Sequence, residues 1–185
     1  MPELPEVETT IRYLGKKVNG KKIVSIKKSN KRLRKNLNLD DFNSIKGKRI
    51  IEVKRFAKYI LVKLNSHSFL IIHLGMSGRL KFYTKENYQK EKHDHVVLEF
   101  DRFYVVFNDP RRFGMFFKLN NNELISFFSH YGLDLLVDKI NISKIFNKFK
   151  KKSVSLKQAL LDQSIFVGIG NILSLIHISE PTRLL

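Results

Sequence analysis

The stretch that decides the fold is His95-Val96-Val97-Leu98-Glu99-Phe100-Asp101-Arg102-Phe103-Tyr104-Val105-Val106-Phe107. Two runs rich in Val, Phe and Tyr, His95–Phe100 and Phe103–Phe107, flank Asp101-Arg102, which reads as a hairpin turn. Outward from this hairpin the same texture covers residues 22 to 119. Further strands are predicted at Lys22–Ile26, Arg49–Val53, Tyr59–Leu64, Phe69–Leu74, Leu80–Tyr83 and Met115–Leu119, punctuated by Gly, Asn and Asp. Eight antiparallel-looking strands at this spacing predict a sandwich or barrel. No repeat of fixed period is evident.

Helical texture brackets the strands, so the fold class is α+β. Val7, Ile11, Leu14 and Val18 form one apolar stripe at helical spacing. Pro2 and Pro5 are tolerated only where a helix starts, Glu3, Glu6 and Glu8 suit its positive end, and Asn19-Gly20 supplies the stop. After Asn121, Leu124, Phe127, Phe128 and Tyr131 share a face that Gly132 can close. Ile142, Ile145, Phe146 and Phe149 repeat the pattern, and Ser155 is placed to cap a third helix carrying Leu156, Ala159 and Leu160. A composition shift around 133–140 divides the chain into a first domain at 1–132 and a helical segment at 133–172. About forty residues of helix pairs are few for an independent core.

The 185 residues carry 35 Lys and Arg against 17 Asp and Glu, a formal charge of +18. Hydrophobic residues at 43% exclude a wholly disordered chain. The absence of cysteine excludes disulfides and every Cys-ligated metal site within these residues. No apolar run reaches a membrane span, and acidic residues occupy the N-terminus where a signal peptide would be cationic, so an intracellular, cytoplasmic protein is expected. A surplus this large calls for a polyanion: nucleic acid first, an anionic membrane surface second. The competing reading is the Lys- and Asn-rich text of an AT-rich genome.

Several residues invite chemistry, each with a plainer alternative. Removal of Met1 would expose Pro2 as a secondary amine titrating near ~8, nucleophilic enough to attack a sugar C1′ and form an iminium; otherwise Pro2 only starts the helix. Glu3 and Glu6 offer a general acid and a carboxylate that orders the turn, or merely helix-dipole stabilisation of ~0.5 kcal/mol each. Lys58 enters an apolar strand and can hold a phosphate or donate a proton, or sit solvated at a strand edge. His93-Asp94-His95 puts two imidazoles on one face of a strand, without an evident third metal ligand, and suits phosphate contact better. Gly75-Met76-Ser77-Gly78 and Asp109-Pro110-Arg111-Arg112-Phe113-Gly114 present Met, Arg and Phe on loops, as probes of a base stack or as ordinary turn and core residues. Lys27, Lys28, Lys31, Arg32, Arg34 and Lys35 crowd one stretch and Lys150, Lys151 and Lys152 another, fit for phosphate tracking or for a solvated face.

The opening Pro2-Glu3-Leu4-Pro5-Glu6-Val7-Glu8-Thr9 closely resembles the start of bacterial formamidopyrimidine-DNA glycosylases, the 8-oxoguanine glycosylase/AP lyase family. The likeness continues in register through Ala57-Lys58-Tyr59, Ile72-His73-Leu74-Gly75-Met76-Ser77-Gly78, Lys92-His93-Asp94-His95-Val96, Asp109–Gly114, Leu160-Leu161-Asp162-Gln163 and Gly168-Ile169-Gly170-Asn171-Ile172. The related endonuclease VIII branch shares the early Pro-Glu but differs around Asp109–Gly114. The resemblance implies that Pro2 is the Schiff-base nucleophile, Glu3 the proton donor in base excision and Lys58 a second donor assisting β-elimination. It implies DNA contacts by His93, Arg111, Lys152 and Asn171, and a wedge of Met76, Arg111 and Phe113 filling the hole left by a flipped nucleotide. The implied fold is an N-terminal β-sandwich flanked by helices, then a helix–two-turns–helix domain and a zinc finger.

After Ile172 the text departs from the family. Leu173-Ser174-Leu175-Ile176-His177-Ile178-Ser179-Glu180-Pro181-Thr182-Arg183-Leu184-Leu185 reads as a cloning adaptor or a frameshift, and Pro181 would break the family's helix. The finger's cysteines and its arginine do not occur here, so no metal or cofactor is expected in this chain. The expectation is therefore a base-excision-repair enzyme removing oxidised purines from damaged double-stranded DNA, monomeric and away from membranes. Its helix–two-turns–helix domain would be incomplete, with the chain poorly active or inactive. The alternative is a non-catalytic basic DNA-binding fragment.

Overall fold

The computed structural model describes residues 2–135, 137–139, 141–150 and 153–174. In chain order these form α1 (Leu4–Val18), β1 (Ser25–Lys28), α2 (Leu39–Ile45), β2 (Ile50–Phe56), β3 (Tyr59–Leu64), β4 (Ser68–His73), β5 (Arg79–Thr84) and β6 (Asp94–Glu99). There follow β7 (Phe103–Asn108), β8 (Met115–Asn120), α3 (Asn121–Phe128), β9 (Leu133–Asp134), α4 (Ile142–Lys150), α5 (Leu156–Leu161) and β10 (Phe166–Val167). Two four-stranded antiparallel sheets, ordered β1-β6-β7-β5 and β2-β3-β4-β8, make the expected sandwich. The Asp101-Arg102 hairpin joins β6 and β7, with Phe100 N–H donating to Phe103 O at 2.9 Å.

The near-continuous apolar runs of β3, β4 and β8 follow from burial on both faces, because alternate side chains enter different cores. Ile60, Val62, Leu64, Leu70, Ile72 and Phe116 point between the sheets, where α1 adds Val7, Ile11, Leu14 and Val18. Tyr59, Leu61, Ile71, Met115, Phe117 and Leu119 point outward, under Leu124, Phe127 and Phe128 of α3. Each fully buried Leu, Ile or Phe contributes roughly 1.5–3 kcal/mol, so two covered faces anchor this sheet firmly. A third, smaller cluster gathers Ile165, Phe166 and Ile169 with Ile145, Phe149 and Leu160.

The structure departs from the sequence reading at several points. The first predicted strand, Lys22–Ile26, is displaced: Lys22 makes only an isolated bridge to Arg49, and β1 begins at Ser25. Helix α2 was not expected; Asn38 Oδ1 caps it by accepting from Asp41 N–H at 2.7 Å. Helix α3 ends at Phe128, and Gly132 does not close it. Gly132 instead lies backbone to backbone against Ser164 and Ile165, where a Cβ would clash. The predicted linker around 133–140 starts with strand β9, which pairs in parallel with β10. The four apolar positions of α4 divide: Ile145 and Phe149 pack inward, while Ile142 and Phe146 are exposed.

Candidate active site and nucleic-acid interface

The N-terminus of α1 builds one wall of the site. Glu6 Oε2 accepts the backbone N–H of Glu3 at 3.0 Å, which fixes the turn carrying Pro2 and Glu3. Glu3 is only 3% exposed. Its carboxylate crosses to the far end of the chain, accepting the N–H of Ile172 at 2.8 Å and of Leu173 at 3.0 Å. These two donors open a short helical turn at 171–174 and would otherwise be unpaired there.

Lys58 forms the facing wall, in the tight turn between β2 and β3. Ala57 takes a left-handed φ of 53°, and its N–H donates to Asp134 Oδ2 at 3.2 Å. Arg55 clamps this turn: its guanidinium donates to both Asp134 oxygens, at 2.5 and 3.0 Å, to Glu8 Oε2 at 3.0 Å and to Ala57 O at 3.1 Å. Lys58 is 8% exposed, and burial pulls its ammonium below the usual lysine range while Glu3 and Glu6 oppose the shift. Gly170 separates the two walls. A Cβ there would overlap the Glu3 carboxylate and come within 2.8 Å of Lys58 Nζ, so only glycine admits this approach.

Beside Lys58 opens a cavity of about 380 Å³ whose polar lining includes Arg34, His73, Tyr131, Gln163 and Asn171. Arg34 reaches it because its segment runs along the start of β8, with Arg34 N–H donating to Gly114 O and Phe116 N–H to Lys35 O. His73 Nδ1 accepts from Gly75 N–H at 3.1 Å. Burial first, then the Lys58 and Arg34 charges, push its imidazole down to about 4, so it is neutral at physiological pH and carries its proton on Nε2. The hydroxyls of Tyr59 and Tyr131 lie 2.9 Å apart, and burial raises the Tyr59 phenol. A second hollow continues from the first, sharing Arg34 and His73 and adding Gly75, Met76 and Phe113. Met76 and Phe113 are 42% and 45% exposed, and the Arg111 guanidinium stands 5.1 Å from the Phe113 ring centroid.

Of the residues singled out from the sequence, Glu3, Lys58 and Asn171 meet around Gly170, with Pro2 next to Glu3 in the chain. Met76, Arg111 and Phe113 gather at the neighbouring hollow. His93 does not line either hollow; its backbone carbonyl accepts Asp109 N–H at 3.0 Å. The His93-Asp94-His95 pair is not a metal or phosphate site through His95, whose ring is 2% exposed and engaged at both nitrogens by Ser29 Oγ and Asp109 O. Lys152 lies outside the described residues. The sequence reading missed Arg55 and Asp134, separated by 79 positions, and Tyr131 as a cavity residue. It met Arg34 only inside a basic run and His73 only inside a motif.

The formamidopyrimidine-DNA glycosylase N-terminal domain model matches residues 1–116. The chain belongs to the formamidopyrimidine-DNA glycosylase family. Among curated relatives, the formamidopyrimidine-DNA glycosylases of Wolbachia pipientis wMel and Rickettsia bellii are 41% and 40% identical over 93% of this chain. The chain spans about 64% and 63% of their lengths. Crystal structures of the Lactococcus lactis family member superpose with TM-scores of 0.86 and 0.85 at 29% identity. They cover 94% and 92% of this chain and 64% and 66% of theirs. The first of these holds DNA containing Fapy-dG and the second DNA containing an abasic site. The chain contains no cysteine, and among the described residues no three His, Asp or Glu side chains converge to hold an ion. No helix among the described residues is long and apolar enough to cross a membrane.

Proposed function

We propose that this chain carries the catalytic site of a bifunctional DNA glycosylase that removes oxidised purines, 8-oxoguanine and formamidopyrimidines, and then cleaves the strand by elimination. The convergence of Glu3, Lys58 and Asn171 at Gly170, beside Pro2, carries this reading. Removal of Met1 frees the Pro2 amine. That amine attacks C1′ as the N-glycosidic bond breaks, and the base leaves with a proton from Glu3. Opening of the sugar ring leaves an iminium between the proline nitrogen and C1′. Loss of the C2′ proton then expels the 3′ phosphate. Lys58, whose burial makes it a stronger acid than a solvated lysine, supplies a proton to this elimination.

The substrate is held by donors suited to phosphate. Arg34, Lys58, the Nε2–H of neutral His73 and the Asn171 amide surround one cavity, on a chain of charge +18. His93 and Lys152 are further phosphate contacts in this reading. Met76, Arg111 and Phe113 fill the space left by the flipped nucleotide, an exchange that offsets a few kcal/mol of lost stacking. DNA containing the lesion is thus the partner, bound by one copy of the chain. The test is single-turnover cleavage by the 185-residue chain and its Glu3→Gln variant. Excision of 8-oxoguanine is expected to fall by about 10²–10⁴-fold, with cleavage of a preformed abasic site much less affected. Equal losses on both substrates would reject the acid role of Glu3. Binding without any cleavage or trapping by the unmodified chain would favour the non-catalytic DNA-binding alternative.

A further inference from the structure

The two loops of the wedge are 32 positions apart in sequence and share one buried carboxylate. Asp109 is fully buried and all its polar atoms are engaged. Its Oδ1 accepts the Ser77 hydroxyl at 2.5 Å and the Arg111 N–H at 3.2 Å, and its Oδ2 accepts the Gly114 N–H at 2.8 Å. Its N–H donates to His93 O at 3.0 Å, and its carbonyl accepts from His95 Nε2 at 2.8 Å. That carbonyl can only accept, so His95 carries a proton on Nε2, and in its neutral form Nδ1 accepts from Ser29 Oγ at 3.1 Å. Ser77 is shared in turn, since its Oγ also accepts Arg111 N–H at 3.1 Å.

The backbones themselves are in contact. A Cβ on Gly75, at φ +64°, would lie 2.5 Å from Phe113 C and 2.6 Å from Gly114 N. A Cβ on Gly114 would lie 2.9 Å from Asp109 Oδ2 and 3.0 Å from His73 O. Arg112, between the two probes of its loop, is held at φ 61°, a left-handed conformation that persists in a non-glycine residue only when its surroundings over-determine it. The exposed tips Met76 and Phe113 therefore stand on a base whose buried carboxylate is fully engaged and whose backbones are in close contact.

We infer that Asp109, acting through Ser77, is the positioning residue that joins the two loops into one rigid wedge, so that Met76 and Phe113 enter a base stack together. This rests on the reading of the site as a lesion-DNA interface and adds to it how the wedge is coupled. The two tips then behave as one probe: losing either leaves the other unable to fill the gap alone, and the link between them is the Ser77 hydroxyl on the Asp109 carboxylate. Neither Ser77 nor Asp109 needs to touch DNA for this.

The test uses the full 185-residue chain and a duplex with a tetrahydrofuran abasic analogue beside 2-aminopurine, whose fluorescence reports local unstacking. Ser77→Ala is the main variant, because it removes the link without leaving a hole at Asp109, and Ser77→Thr restores the hydroxyl. The expected results are a fluorescence change reduced at least fivefold in Ser77→Ala, recovered in Ser77→Thr, with binding to undamaged duplex within twofold of the unmodified chain. In the double-mutant cycle, Met76→Ala and Phe113→Ala should be non-additive by about fivefold or more in the unmodified background and additive within twofold in Ser77→Ala. Additive tips in the unmodified background, or an unchanged signal in Ser77→Ala, overturn the coupling while leaving the lesion interface standing. An unmodified chain that produces no fluorescence change at the analogue removes the interface reading and the coupling with it.

Discussion

The Glu3–Lys58 corner and the Met76–Phe113 wedge lie on adjoining hollows yet are built in opposite ways. In the proposed catalytic corner the side chains of Glu3 and Lys58 are themselves buried, 3% and 8% exposed, and burial lowers the pKa of Lys58. At the proposed wedge the tips Met76 and Phe113 are exposed, and what is buried is the Asp109 carboxylate beneath them. Chemistry at Lys58 draws on an ammonium that burial makes more acidic, and the corner holds its proton donors in place. Insertion needs an apolar tip that can leave water, which burial would defeat. Stability and function are therefore coupled in the corner and separable at the wedge tips.

The largest effect that sharpens this contrast is in stability. Arg55→Met leaves Asp134 buried without its guanidinium partner and should cost about 3–5 kcal/mol, read from urea or thermal denaturation. A loss below about 1 kcal/mol would show that the clamp is not what holds the Lys58 turn. Gly170→Ala comes next. Its methyl group must displace Glu3 or Lys58, and a small misplacement there should lower single-turnover excision by about a hundredfold. Full activity in Gly170→Ala would break the claim that the corner depends on close approach.

A pH effect of intermediate size belongs to His73, which bridges both regions. Its folded-state pKa of about 4 lies below the unfolded value near 6.5, so the unfolded chain binds the extra proton between these values. The associated stability is present above pH ~6.5 and is lost as pH falls toward ~4, roughly 3 kcal/mol in all. His73→Asn, which keeps an acceptor for Gly75 N–H, should flatten the stability profile across that window relative to the unmodified chain. An unchanged slope would contradict the burial of a neutral imidazole. The smallest stability effects are expected at the tips. Met76→Ala and Phe113→Ala should each change stability by less than about 0.5 kcal/mol while weakening binding to lesion duplex several-fold. A destabilisation above about 2 kcal/mol would make them core residues and erase the contrast.

The parts visible in the sequence were those governed by short-range periodicity. The apolar β-branched and aromatic run Tyr59–Leu64 and the turn at Asp101-Arg102 report local backbone geometry, and both take their expected places in the sheets. Strands β9 and β10 have two residues each, too few for any period, and they pair across more than thirty positions. Of the site, the apolar tips and the Lys58 turn carry local signals of glycine, proline and aromatic residues. Arg55 and Asp134 carry none, because an ion pair 79 residues apart leaves no trace in spacing. His95 misleads for a related reason: H-x-H spacing suggests two ligands on one face, while a bulge between Asp94 and Val96 breaks the register of β6 there. Its ring is consumed by Ser29 and Asp109, which are distant in sequence.

In the proposed mechanism the corner works through the amine of Pro2 rather than through Lys58, the other nitrogen nucleophile within reach. Borohydride reduction during reaction with 8-oxoguanine duplex, followed by peptide mapping of the trapped protein–DNA adduct, separates the two. The adduct is expected on the N-terminal peptide beginning at Pro2; Lys58→Met should still trap, and a chain retaining Met1 should not. An adduct on the Lys58 side chain, or trapping undiminished when Met1 is retained, would contradict the mechanism.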